Sequence, residues 1–213
     1  MFFDRKQAAR KLANLFRGQH LENLLILGIP CGGVVVAAEM SSELKGELDV
    51  VLSQKLTDPS RKENVIGAVC EEGEEHLTDY GKQFIGTLEL EREIRSRRRE
   101  IERLQGLFRE GRPLESVVGR TVIVTDDGMT TGSTMHAALQ TLRAQQPKEL
   151  IAAVPVGPKG TVETLQALCD DFVCLEVNTD FKEVEQFYVH FAPVSEIEVS
   201  QILSTFSQKR RMA

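Results

Sequence analysis

The strongest chemical pattern lies mid-chain, in Val122-Ile123-Val124-Thr125-Asp126-Asp127-Gly128-Met129-Thr130-Thr131-Gly132-Ser133-Thr134. An apolar run of strand character ends in two adjacent carboxylates. A loop with two glycines and four hydroxyl residues then enters a helix. A helix start offers unpaired N–H groups and the positive end of the dipole, which suits a phosphate. Gly128 and Gly132 let backbone approach an anion, and Thr130, Thr131, Ser133 and Thr134 add hydroxyl donors. Asp126 and Asp127 would repel that phosphate, so they need another partner. A vicinal diol fits, because its O–H groups match ionised acceptors. Phosphate at one end and diol at the other describes a ribose 5-phosphate.

This loop needs a strand behind it and a helix after it, and the chain supplies such units repeatedly. Asp4 reads as an N-cap, with Ala8, Leu12, Leu15 and Phe16 following at helical spacing and Gly18 as the stop. Leu24 to Ile29 reads as a buried strand running into Pro30-Cys31-Gly32-Gly33 and a helix from Val34 to Leu44. Further strands are expected at 48–52, 65–70, 121–125, 150–156 and 172–177. Helices are expected from the acidic loop to about Arg143, at 162–168 and at 199–206. The longest helical signal is Leu88 to Arg109, with an apolar stripe of Leu90, Ile94, Ile101, Leu104 and Phe108. Its arginines 95 and 97–99 read as a solvated face. The polar stretch 57–64 reads as a mobile loop, and 71–75 as a turn. The alternation implies an α/β fold: a parallel twisted sheet flanked by helices. A single domain over 1–213 is expected, with a core at about 20–178 and a small hood from 1–19 and 179–213.

The 213 residues are 41% apolar and 27% charged, enough for one sizeable core. A net charge of −6 argues against a nucleic-acid surface but not against a locally positive pocket for a small anion. No apolar run approaches the ~20 residues that cross a bilayer. The opening Met1-Phe2-Phe3-Asp4-Arg5-Lys6 turns charged at once, so no membrane contact and a cytoplasmic setting are expected. Cys31, Cys70, Cys169 and Cys174 lack zinc or redox spacing, and His20, His76, His136 and His190 form no ligand-spaced set.

The 122–134 segment resembles the signature by which type I phosphoribosyltransferases hold phosphoribosyl pyrophosphate (PRPP): apolar strand, two acids, three variable residues, Thr-Gly, then Ser or Thr. The wider chain resembles a poorly characterised group of that superfamily. The likeness runs through Phe3-Asp4-Arg5, Ile29-Pro30, Gly32-Gly33, Leu48 to Val51, Gly67 to Val69, Val154 to Val156 and Phe187-Tyr188. The resemblance implies that Asp126 and Asp127 hold the ribose hydroxyls and take part in catalysis. It implies that Gly128, Met129, Thr130, Thr131, Gly132, Ser133 and Thr134 wrap the 5-phosphate. Pro30, Cys31, Gly32 and Gly33 would form the pyrophosphate loop, a placement that suits glycine amides between a strand and a helix. It further implies Mg²⁺ bridging substrate oxygens, with no direct side-chain ligand assigned, and a homodimer, for which helix 88–109 offers a surface.

The group usually carries arginine where this chain has Cys31, and a basic residue where it has Gln54. Lys55 is then the side chain expected on pyrophosphate. Thr130 stands where 6-oxopurine members carry an acid, which counts against a hypoxanthine or guanine enzyme. Val156, Phe187 and Tyr188 are the candidates for an acceptor pocket, with Phe181 as another stacking ring. Two functions follow: Mg-dependent phosphoribosyl transfer from PRPP to a nitrogenous base or amine, or a sensor that binds PRPP or a nucleotide monophosphate without turnover.

Overall fold

The computed structural model describes residues 1–72 and 75–212, with all their side chains except those of residues 63 and 209–212. The first helix, α1 (Arg5–Phe16), starts at Asp4, whose side chain accepts from the Gln7 amide at 2.7 Å. The chain continues through β1 (Leu25–Gly28), α2 (Gly32–Leu44) and β2 (Glu47–Val50). It then forms β3 (Ser53–Asp58), β4 (Arg61–Cys70) and β5 (His76–Leu77). The second half runs α3 (Leu88–Arg109), β6 (Thr121–Thr125), α4 (Ser133–Ala144), β7 (Glu149–Pro158), α5 (Lys159–Leu165), β8 (Asp171–Asn178) and α6 (Glu196–Met212).

Five strands make a parallel sheet in the order β2-β1-β6-β7-β8. Its strands are near-continuous apolar runs because helices cover both faces. On one face Leu25, Leu27, Val122 and Val124 pack with Met135, Ala138, Leu139 and Leu142 of α4. On the other, Ile26, Ile123, Ile151 and Ala153 meet Leu12 and Phe16 of α1 and Val36, Ala37 and Met40 of α2. The chain leaves β1 toward β2 but leaves β6 toward β7, so the order reverses between β1 and β6. Such a switch point opens a crevice at the strands' carboxyl ends. Gly28 pairs with Thr125, and the Ile29 amide donates to the Thr125 carbonyl at 2.9 Å. That register releases loops 30–33 and 126–132 side by side.

One expectation needs correction. The stretch 57–64 is the end of β3, a turn at 59–60 and the start of β4 in an antiparallel hairpin, in which β3 pairs with β4 and β4 with β5. Its inward residues Leu56, Ile66 and Val69 pack on Leu90, Ile101, Leu104 and Phe108 of α3. Of the turn expected at 71–75, residues 73 and 74 lie outside the described residues. Within the terminal segments, α1 belongs to the helical layer on the sheet face and α6 packs with α3. What covers the carboxyl edge is narrower: Phe2 bridges to Tyr188, and Phe2, Phe187 and Tyr188 bury together with Val156.

The arginines of α3 pair outward as the charge pattern suggests, Arg95 with Glu91, Arg97 with Glu93, and Arg103 with Glu100 and Glu196. No described helix is long and apolar enough to cross a membrane.

Candidate functional site

Two loops meet at the switch point. The first contains Pro30 and Cys31, joined by a cis peptide, and enters α2 at Gly32. A Cβ on Gly32 would sit 1.9 Å from Asp127 Oδ2, and one on Gly33 would sit 2.8 Å from the Asp126 Cα. The glycines are therefore what allows this loop to lie against the acids. The second loop runs from Asp126 into α4 through Gly132, which has φ 69°, a left-handed conformation that favours glycine. Among the described residues, nothing accepts from the amides of Thr130, Thr131, Gly132 or Thr134. Thr131 Oγ1 and Ser133 Oγ lie 3.0 Å apart, and Thr161 Oγ1 of α5 braces the Thr130 carbonyl at 2.9 Å. Free amides, hydroxyls and a twelve-residue helix behind them make an anion cradle.

Met129 differs from its neighbours. Its side chain is 5% exposed in the core and its amide donates to the Val156 carbonyl at 3.1 Å. It anchors the loop to β7 and offers no free amide to an anion.

The Asp127 amide donates to Asp126 Oδ1 at 2.8 Å. Burial first, and then the charge of Asp127, push the Asp126 carboxyl well above the usual carboxylate range, while Lys55 pulls it down. Lys55 is exposed on β3. Cys31 is half-buried. Burial and then Glu196, Asp127 and Asp126 push its thiol up, so it is no activated nucleophile.

Sequence reasoning missed Arg5. Its Nε donates to Asp127 Oδ2 at 2.7 Å, its Nη1 to the Ala192 carbonyl at 2.8 Å, and its guanidinium stacks 3.8 Å from the Phe191 ring centroid. Arg5 entered the sequence analysis only as part of the Phe3-Asp4-Arg5 stretch of the resemblance, with no role assigned, and its partner lies 122 positions away.

The expected acceptor residues are packed. Val156 is 0%, Phe187 8% and Tyr188 6% exposed. Phe181 stacks on Phe187 at 5.2 Å, and the Tyr188 hydroxyl donates to the Asp127 carbonyl at 2.6 Å. Tyr188 thus holds the acid loop from behind. Two of the histidines pack together. His76 of β5 and His136 of α4 stack with centroids 3.5 Å apart, and burial with the neighbouring ring pushes His136 down to about 4. The pair joins the hairpin to α4 as neutral rings.

Magnesium favours oxygen ligands and is commonly held by one or two carboxylates with phosphates and waters. Asp126 and Asp127 beside an anion cradle fit a metal carried on a phosphorylated substrate. Among the described residues, no group of three or more His, Cys, Asp or Glu side chains is gathered for a protein-held ion.

A family model described as "Phosphoribosyl transferase domain" matches residues 3–192. A curated protein of Mycobacterium tuberculosis (strain H37Rv), named provisionally as a phosphoribosyl transferase, is 34% identical over 205 residues, which are 95% of this chain and 46% of that protein. The chain thus spans about half the length of the curated relatives it matches. Among solved structures, TT1426 from Thermus thermophilus is 38% identical with a TM-score of 0.83, over 97% of this chain and 99% of that one. The purine phosphoribosyltransferase of Pyrococcus horikoshii shares the fold at 15% identity and a TM-score of 0.50, over 90% and 92% of the two chains. A model spanning nearly the whole chain coincides with a parallel sheet whose switch point presents an acid pair and a helix-entry loop. On both grounds this chain belongs to the phosphoribosyl transferase domain family.

Proposed function

We propose that this chain binds PRPP with Mg²⁺ and transfers its phosphoribosyl group to a nitrogenous base or amine, releasing pyrophosphate. One observation carries the reading: unpaired amides at the start of α4 stand directly after two adjacent carboxylates, at the sheet's switch point. The amides and hydroxyls of residues 130–134 hold the 5-phosphate, with Gly128 and Met129 shaping the approach. Asp126 and Asp127 accept from the ribose hydroxyls. Pro30, Cys31, Gly32, Gly33 and Lys55 face the pyrophosphate.

In the reaction the bond from ribose C1 to the pyrophosphate oxygen breaks, a C1–N bond forms, and the acceptor loses a proton. Positive charge develops on the sugar as the leaving group departs, and the adjacent carboxylates favour it. Lys55 and the loop amides favour the departing anion. Magnesium bound with the substrate supplies further positive charge to that group. The test is to incubate the chain with PRPP, Mg²⁺ and a panel of bases and amines. Release of pyrophosphate that depends on one acceptor supports transfer. PRPP binding without turnover on any acceptor removes it.

A second reading, a sensor of nucleotide monophosphates, is favoured by one site feature. Cys31 sits among the charges of Glu196, Asp127 and Asp126, in a loop with no cationic side chain of its own. Under that reading, calorimetry gives monophosphate affinity at least equal to PRPP affinity, with little effect of Mg²⁺.

A further inference from the structure

A carboxylate that meets a ribose diol must present its oxygens in a fixed direction, so what holds Asp127 matters. Its Oδ2 lies 2.7 Å from Arg5 Nε, and the two side chains are only 11% and 14% exposed. The guanidinium is itself fixed, by the Ala192 carbonyl at 2.8 Å and by the ring of Phe191 against its face. Arg5 is also the first residue of a capped helix, so its backbone is fixed too. Against the same carboxylate oxygen lies the bare backbone of Gly32, where a Cβ would sit 1.9 Å from Oδ2 and 3.0 Å from Arg5 Nε. Asp127 is therefore wedged between a guanidinium and the first loop. Its carbonyl is held separately by the Tyr188 hydroxyl.

Exposed ion pairs contribute little. This pair is mostly buried and charge-assisted, and the arginine fork bonds in two directions at once. We propose that Arg5 is a positioning residue for the phosphoribosyl-transfer site: by clamping Asp127 onto Gly32 it sets the carboxylate that receives the ribose. The proposal rests on reading loop 126–134 as a ribose 5-phosphate site. It also accounts for how two segments far apart in sequence bear on the chemistry. Segments 2–5 and 188–192 converge on Asp127 and tie both loops into one unit. Arg5 further brings a positive charge beside Gly32.

The test uses the full chain as wild type, Arg5→Met and Arg5→Lys, titrated calorimetrically with ribose 5-phosphate and, separately, with inorganic phosphate. Arg5→Met should weaken ribose 5-phosphate binding by about tenfold, the size of one charged hydrogen bond. Inorganic phosphate, which does not need Asp127, should change by less than about twofold. Arg5→Lys should recover part of the loss, because it keeps the charge and loses the second bond. Equal losses for both ligands would mean a general structural role and overturn the proposal. A ligand-free arm stands apart from the functional reading: melting of Arg5→Met, Asp127→Asn and the double variant. Coupled residues give a double-variant shift smaller than the sum of the single shifts. Additive shifts overturn the clamp whatever the ligand results. Wild type that binds neither ligand overturns the functional reading, and the melting cycle then still decides the clamp.

Discussion

Asp126 and Asp127 are neighbours in sequence with opposite surroundings. Asp127 is paired with Arg5, whereas Asp126 is desolvated beside that negative charge and its carboxyl is pushed up. A raised acid pKa means that folding favours the protonated form of this group relative to the unfolded chain. Asp126 therefore contributes stability below its unfolded value near 3.8, and that contribution is lost as pH rises through its folded value. Ribose hydroxyls donate to the ionised form, so binding has the opposite sign. Affinity for ribose 5-phosphate should climb as pH rises through the folded pKa of Asp126, and Asp126→Asn should flatten that part of the profile. Calorimetry over a pH series measures both. Cys31→Arg tests the first loop. A guanidinium there should tighten PRPP binding by about tenfold while leaving ribose 5-phosphate unchanged. Unchanged PRPP affinity counts against pyrophosphate at residues 30–33. The acid pair was legible in the sequence because its neighbours are contiguous. Arg5 was not, because a contact across 122 positions leaves no local spacing to read.

At the scale of elements, the left-handed turn that starts α4 is the critical joint. A Cβ on Gly132 would sit 2.6 Å from Thr161 Cγ2 and 2.9 Å from Leu165 Cδ1, at φ 69°. Gly132→Ala should cost about 1–2 kcal/mol from backbone conformation alone. It should also weaken phosphate binding more than it lowers the melting temperature, because the turn aims the free amides. The two effects are measured by calorimetry and thermal unfolding on the same variant. The bounds of α3, Leu88 and Arg109, follow from a sustained apolar stripe that one helix face must bury. The β3–β4 hairpin escaped because Thr57 to Glu63 is polar, and its strand character comes from packing of Leu56, Ile66 and Val69 on α3. Propensity is silent where tertiary contact decides. The same cause hid β5, whose two residues pair only because β4 is already in place.

At the scale of the molecule, the sheet, the hairpin and α3 are joined by a buried charge cluster. Arg109 at the end of α3 pairs with Glu71 and, at 3.9 Å, with Asp49 of β2. Burial pushes both carboxyls up, and Arg109 opposes that shift. Arg109→Met leaves two carboxylates without their cation and should cost about 3–5 kcal/mol near neutral pH. Both acids have raised folded values, so their contribution returns as pH falls below those values. The gap between variant and wild type in thermal unfolding should therefore narrow as pH falls through a range above the free values of 3.8 and 4.5. The parallel sheet, the order of its helices and the loop at the switch point could be read from alternating apolar runs. The covering of the carboxyl edge by residues 2 and 181–191 could not, because those aromatics look alike whether they stack on a ligand or on one another. The central claim is that the turn after β6 grips a ribose 5-phosphate. A crystal structure of the chain soaked with PRPP and Mg²⁺ tests it most directly. The account predicts the 5-phosphate on the amides of residues 130–134 and the ribose hydroxyls on Asp126 and Asp127. A well-ordered ligand elsewhere, with that turn unliganded, would contradict it.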